Sequence, residues 1–393
     1  MESRAVASQQ NSGNPRGEID VISSLSGLES LRVDWTNLES RCHSPPSVFQ
    51  SFDWVNEWAK IYCNSSQKDP VEIQIMLGRK SNKLVFLMPL MLRRVQGMKM
   101  LSLLTDPHAQ YGDILCDRNE NTEFWMKSAL EFCQANNLAD ILYIRHVRND
   151  SNLAPFAKQH LKDGHFNEQA PYLDLTVYET AAEYDARYSP TQKKRRKKIR
   201  KHLLELGPVN FEAVRDLGTS DTAIASAVSE KDIWLKDRGR YNRIMSCPKH
   251  VAFLQQLARL EGSPLKLVVT KLSAGNAPAS WDISFRYKGT NYCYITSHVN
   301  ALNDLSPGRL HMDQSQRLSI ADGMKTFDLM VPNDPHKDSW CSGKIGVNDY
   351  YHAFSGRGRL FGAAYLGWLR PLIRKAYYSL PQKALVALQP FVS

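Results

Sequence analysis

A chain of 393 residues with 42% hydrophobic and 23% charged residues has the composition of a soluble globular protein with room for two domains. No stretch reaches the ~20 apolar residues of a membrane span. Seven scattered cysteines with no Cys-x-x-Cys pair argue against a disulfide framework and a structural zinc site, and predict a reducing, cytoplasmic setting. The net charge of +10 comes from 50 basic and 40 acidic residues, and eight of the bases fall within residues 193–201, so basicity is a local feature and not a property of the whole surface.

The first residues are polar, rich in Ser, Gln, Asn and Gly, and lack the apolar segment of a secretory signal. They predict a disordered tail over residues 1–20. A short strand and helix are expected over 21–41. A helix opens near Ser51, its N-cap, with Trp54, Trp58 and Ile61 on one face. Strands are expected at 71–77, 83–93 and 98–104, with Gly97 in the turn between the last two. A polar loop, TDPHAQYGDILCD, leads to a helix at 122–133 and a strand at 140–145.

Residues 181–206 carry a helical pattern with Ser189 as N-cap and Pro190 at the first position. A strand at 209–214, helices at 220–235 and 249–261, and a strand at 265–272 follow. Two strands, 279–287 and 291–298, flank Lys288-Gly289 as a hairpin. A loop ending in Ser306-Pro307-Gly308 opens a helix that Gly323 closes. A strand at 327–331 precedes the loop carrying His336, Lys337 and Trp340, and a helical, aromatic and basic tail is expected from Tyr350 to Leu388.

Hairpin, polar loop, helix and strand occur twice. Gly97 and Gly289 lie 192 residues apart, and the strands after the helices begin 187 apart, at Asp140 and Phe327. That spacing predicts an internal duplication. The expected division is a tail (1–20), an N-terminal α/β domain (21–180), a basic connector helix (181–207), a C-terminal α/β domain holding the donor site (208–349) and an amphipathic helical tail (350–393).

The motifs FQSFDW, LMPLML, QYGDIL, SPTQKKRRKKIRKHLLELG, SPGRL, DGMKTFDLM and KDSW, in this order over about residues 34–340, resemble the acyltransferases of the CelD/BioF type. These belong to the GNAT superfamily and are related to the FemABX peptidyltransferases. The resemblance implies two tandem GNAT-like domains, mixed sheets flanked by helices. It implies an acyl-CoA co-substrate, such as acetyl-CoA, bound in one domain and an acceptor between the two. The usual GNAT pyrophosphate loop is absent, and SPGRL stands in its place.

Ser306, Gly308 and Arg309 would offer a helix N-terminus and a cation to a donor phosphate, against the alternative of an ordinary turn. The resemblance implies that Lys337 faces the reaction centre, where a cation steadies an oxyanion or binds an anionic acceptor, and that Trp340 supports the donor. His298 and His311 are candidate bases, or packing histidines. Asp282 would orient a substrate, or be a buried hydrogen-bonded carboxylate. Asp328 has its first reading as a bond acceptor for backbone N–H groups. Asp106, His108, Tyr111 and Asp113 form a polar aromatic loop suited to an acceptor, and no metal site is expected.

The basic helix has three readings: a solvated face, a clamp on an anionic donor or glycan acceptor, or attraction to an anionic membrane. Nucleic acid is the least favoured partner. The tail either lies in a membrane interface or docks on the last domain. Together these predict an acyltransferase acting on an amine or hydroxyl, such as that of a sugar or of an envelope or polysaccharide precursor. The alternatives are a FemABX-like transferase using aminoacyl-tRNA, or a non-catalytic module that binds anions, nucleic acid or membranes.

Overall fold

The computed structural model describes residues 18–45, 47–63, 71–95 and 97–380. β1 (Ile19–Ile22) takes residues 19 and 20 out of the expected tail, whose residues 1–17 lie outside those described. α1 (Leu25–Ser30) and α2 (Arg32–Glu39) follow. α3 (Phe52–Tyr62) starts where the Ser51 hydroxyl accepts the Trp54 N–H, as the cap predicted. The long apolar hairpin is β2 (Glu72–Lys80) and β3 (Lys83–Val95). β4 (Met98–Leu103), β5 (Leu115–Cys116), α4 (Thr122–Ala135), β6 (Ile141–Arg148), α5 (Ala154–His160) and β7 (Lys162–Asp174) complete the first half.

The connector is two helices, α6 (Ala181–Ala186) and α7 (Pro190–Leu204). Ser189 and Gln192 form a reciprocal capping box that starts α7 afresh, so the single helix expected over 181–206 divides there. β8 (Val209–Val214), α8 (Leu217–Asp237), α9 (Pro248–Ala258), β9 (Lys266–Ala274), β10 (Ala277–Tyr287) and β11 (Thr290–His298) come next. α10 (Pro307–Ala321), β12 (Thr326–Asp328) and β13 (Gly343–Ala353) then lead to the final helical run. That run is α11 (Gly356–Leu360), a π-helical stretch (Phe361–Leu369) and α12 (Arg370–Ser379). Tyr350–Ala353, expected as the start of the helical tail, therefore ends a strand. The part of the tail beyond residue 380 lies outside the described residues.

All strands join one mixed sheet in the order β1-β2-β3-β4-β6-β13-β7-β12-β11-β10-β9-β8, with β5 on β3. Each half runs through antiparallel neighbours to one parallel pairing, β4 with β6 and β11 with β12. At the centre the last strands cross over. β13, from the end of the chain, pairs with β6, and β7, from the first half, pairs with β12. β7 and β13 also pair with each other over a long register, Gly343↔Tyr172 to Tyr351↔Lys162. The sheet is therefore a mixed α/β layer with helices on both faces.

One aromatic core spans the two halves. Trp54 of α3 meets Phe253 of α9 and Phe285 of β10 edge-on, with ring centroids 4.9 and 5.1 Å away. Tyr287 donates its hydroxyl hydrogen to Glu39, whose carboxyl burial pushes upward in pKa. All seven cysteines are free.

Candidate active site in the opening between β11 and β12

The parallel ladder between β11 and β12 lasts three residues, Thr290↔Thr326 to Tyr292↔Asp328. Beyond it β11 continues to His298, while the other chain turns away at Met330, whose φ is +57°. Asp328 fixes that turn: its Oδ1 accepts the Met330 N–H at 2.8 Å and the Tyr111 hydroxyl at 2.7 Å, and its Oδ2 takes Arg148 Nη1 at 2.5 Å. The first reading of Asp328 as a backbone acceptor holds, with two partners from the first half added.

Lys337 stands at this opening, but its ammonium is committed. Nζ donates to the carbonyls of Leu329, Met330 and Pro332 at 2.9, 2.9 and 2.8 Å. Three donors meet three acceptors, so the side chain clamps the turned chain. Burial lowers its pKa, and the nearby Cys293 and Asp328 act against that. Trp340 is buried, and its N–H bonds to the Lys337 carbonyl at 2.8 Å. Arg196 stacks over Tyr188 and Trp340, 3.1 and 4.8 Å from the ring centroids, and pairs with Asp313 at 2.7 Å. Trp340 thus anchors α7 through Arg196. One member of the basic run faces inward, while Lys193, Lys194, Arg195, Lys197 and Lys198 are exposed.

The group that sequence reading missed is Lys231 of α8. Burial and the Lys337 charge push its pKa down to about 8, with Cys293 and Asp282 acting the other way. Its Nζ lies 4.7 Å over the Trp234 ring. In sequence Lys231 sits in a charged turn, Ser229-Glu230-Lys231-Asp232, that looks solvated. The Lys–Trp spacing of three on a helix was the only hint.

Asp282 and His311 form a closed network under α10. His311 is buried, its ring nitrogens 2.7 Å from the hydroxyls of Thr270 and Ser280, and Nε2 lies 3.6 Å from Asp282. Ser315 donates to Asp282 at 2.6 Å. Burial lowers the His311 pKa. These two fit the packing reading. His298 is half-buried at the mouth, 3.2 Å from Asn303 Oδ1, with its pKa lowered by burial. A Cβ on Gly308 would lie 3.9 Å from its Nδ1, so the start of α10 and His298 flank the same mouth.

Ser306 adopts φ +55° and heads α10. Of the first three helical residues, Pro307 has no N–H and Arg309 donates its own to Ser306 O at 3.1 Å. A phosphate here would therefore rely on Gly308 and on side-chain charge. Arg309 supplies that charge with Arg195 near it. Burial and these neighbouring cations lower its pKa.

The first-half loop is turned inward. Asp106 pairs with Arg145 at 2.7 Å, and Tyr111 is buried against Asp328. Asp113 accepts N–H groups of Leu153 and Asn152, and burial lifts its pKa to about 6. His108 accepts Trp58 Nε1 at 3.0 Å on Nδ1, and its Nε2 is buried without a partner among the described residues. Tyr111, through Asp328, and His108, beside His250, join the halves, whereas Asp106 and Asp113 bond within the first half; all four side chains are buried. No group of three or more His, Cys, Asp or Glu among the described residues is arranged to hold a metal ion.

Residues 192–338 match a GNAT acetyltransferase domain. The matched stretch holds all but the first two residues of α7, the opening and Lys337. FemX superposes with a TM-score of 0.54 at 12% identity, covering 88% of this chain and 99% of that one. The C-terminal domain of a putative lysylphosphatidylglycerol synthetase from Agrobacterium fabrum gives 0.51 at 12%, over 84% and 93%. A tandem GNAT protein from the clavulanic acid pathway gives 0.48 at 9%, over 86% and 99%. These likenesses are of fold. No curated protein matches the chain in sequence.

Proposed function

We propose that the chain is a GNAT-type acyltransferase of the CelD/BioF kind, in which residues 208–349 bind the activated acyl donor and residues 21–180 help present an amine or hydroxyl acceptor. The observation that carries this is the opening beyond Tyr292 and Asp328. It leaves two strand edges without each other as partners, and Lys231 stands beside it. An acyl-CoA would fit with its phosphates toward Gly308, Arg309 and Arg195 and its thioester in the opening.

In this reading Lys231 is the oxyanion donor, because its ammonium has no carbonyl cage of the kind that holds Lys337. When the acceptor attacks the thioester carbonyl, the C–O double bond opens to an oxyanion that Lys231 steadies. Collapse breaks the C–S bond, and the acceptor's proton leaves to solvent or to the departing thiolate. A sugar, or an envelope or polysaccharide precursor, suits the acceptor's chemistry. The exposed bases of α7 favour one second reading, an aminoacyl-tRNA donor of the FemABX kind.

Isothermal titration with acetyl-CoA and filter retention of aminoacyl-tRNA separate the two. Micromolar CoA binding without tRNA retention supports the first, and the reverse overturns it. Lys231→Met is expected to lower kcat about 100-fold with KM nearly unchanged. Wild-type activity should fall as pH rises through about 8, where Lys231 loses its proton. Lys337→Met should lower Tm instead.

A further inference from the structure

We propose that the final helical run, residues 356–379, docks on the surface of an anionic phospholipid bilayer. This does not rest on the acyl-transfer reading. The run is held to the sheet by its inner residues and to the loop after α8 by Tyr377, whose hydroxyl donates to the Gly239 carbonyl at 2.8 Å. Leu366 is buried, and a Cβ on Gly362 would lie 2.2 Å from the Tyr351 ring. Arg370 is pinned to Tyr143 and Asp349. The other side is apolar and open: Leu360 is 70% exposed, Trp368 68%, Ile373 54% and Leu372 47%. Of the fourteen large apolar side chains exposed among the described residues, seven lie between Leu360 and Leu380, which makes one patch and not a scatter.

Charge decides the occupant. From Ser355 to the end the sequence has six bases, Arg357, Arg359, Arg370, Arg374, Lys375 and Lys383, and no Asp or Glu. An apolar helical run with Trp and Tyr, in a segment whose only charged residues are cations, suits a headgroup boundary rich in anionic lipid. A second copy of the chain would bring cations against cations. At the foot of α11 lies a cavity of about 280 Å³ whose lining includes Arg94, Lys99 and Arg357. Asp140 also lines it, but its carboxylate is tied to the Ser355 hydroxyl and the Lys99 N–H. Arg357 gives one Nη2 donor to the Gly97 carbonyl at 3.3 Å, and its remaining donors, with Arg94 and Lys99, line the cavity that a lipid phosphate would enter. Among the described residues no helix is long and apolar enough to cross a membrane, so the contact is with the surface.

The test is cosedimentation of the full chain with phosphatidylcholine vesicles, with and without about 30 mol% phosphatidylglycerol. Binding is expected only with the anionic lipid, weakening as salt rises. The double variant Trp368→Ser/Leu372→Ser should cut the bound fraction at least about tenfold with circular dichroism and Tm unchanged, since both side chains are exposed. Arg359→Gln/Lys375→Gln should reduce the salt-sensitive part. Equal binding to both vesicles, or none, overturns the proposal. So does a dimer in light scattering that the double variant abolishes, because the occupant is then a second copy. So does binding that appears only after residues 381–393 are deleted, because the chain then covers the face itself.

Discussion

β4 and β6 part after Leu101↔Leu142 much as β11 and β12 part after Tyr292↔Asp328. The first gap is filled by the chain itself. Gly112 bridges to Val147 and donates its N–H to His146 O at 3.0 Å, and His146 Nδ1 meets Gln110 O at 3.2 Å. In the second gap the chain after β11 turns away through Ser306 into α10, and the turned strand is held back by Lys337. A splayed pair leaves backbone groups that must be satisfied by protein, water or ligand. One half has spent its splay on its own loop, and the other has kept it, with a cation of lowered pKa beside it.

Asp328→Asn, at the point where the second gap begins, should cost about 3 kcal/mol in urea unfolding, because Arg148 keeps only the more exposed Asp150 as a counter-charge. A smaller loss would mean that the two halves do not meet through this carboxylate. Next comes a matched pair of glycines. A Cβ on Gly112 would sit 2.3 Å from the Arg145 carbonyl oxygen, whereas Gly308 has nothing closer than 3.9 Å. Gly112→Ala should therefore lower stability by about 2–3 kcal/mol, and Gly308→Ala by less than about 0.5. Similar Tm shifts for the pair would remove the contrast between filled and open gaps.

The smallest effect sharpens the seam between the halves. His250 of α9 lies 5.4 Å, ring to ring, from His108 in the loop after β4, and neither His250 nitrogen has a partner among the described residues. Burial lowers the pKa values of His250 to about 4 and His108 to about 3. The unfolded chain protonates first, so stability is full above about pH 6.5 and falls as pH drops toward 4. His250→Leu should flatten that fall by about 2 kcal/mol between pH 7 and 4.5, measured by chemical unfolding across the range. An unchanged slope would remove His250 from the acid response.

Local signals carried much of the architecture. Caps at Ser51 and Ser189, the Lys288-Gly289 turn and the Gly323 stop all appear where their side chains and dihedrals require. The two central strands were not legible. β7 contains Gly164 and Pro171, β13 contains Gly343 and Gly346, and both mix polar with apolar residues because each is flanked by strands from the other half. Their partners are distant in sequence, which no local pattern reports. At the site the same limit applies. The lysine of the motif was easy to single out, yet its carbonyl cage depends on a tertiary turn. Lys231 reads as one of many helix-surface charges, and only the packing of α8 on β11 half-buries it.

The crossing of β13 to β6 has a consequence for how the protein is made. Val347 pairs with Arg148, and the edge that β6 offers stays bare until residues 343–353, about 195 residues further on, have been translated. A nascent chain therefore emerges with an incomplete first sheet that waits for its seal. Premature termination anywhere before the codon for residue 343 would release a polypeptide with a sticky flank, a natural client for chaperones or proteases.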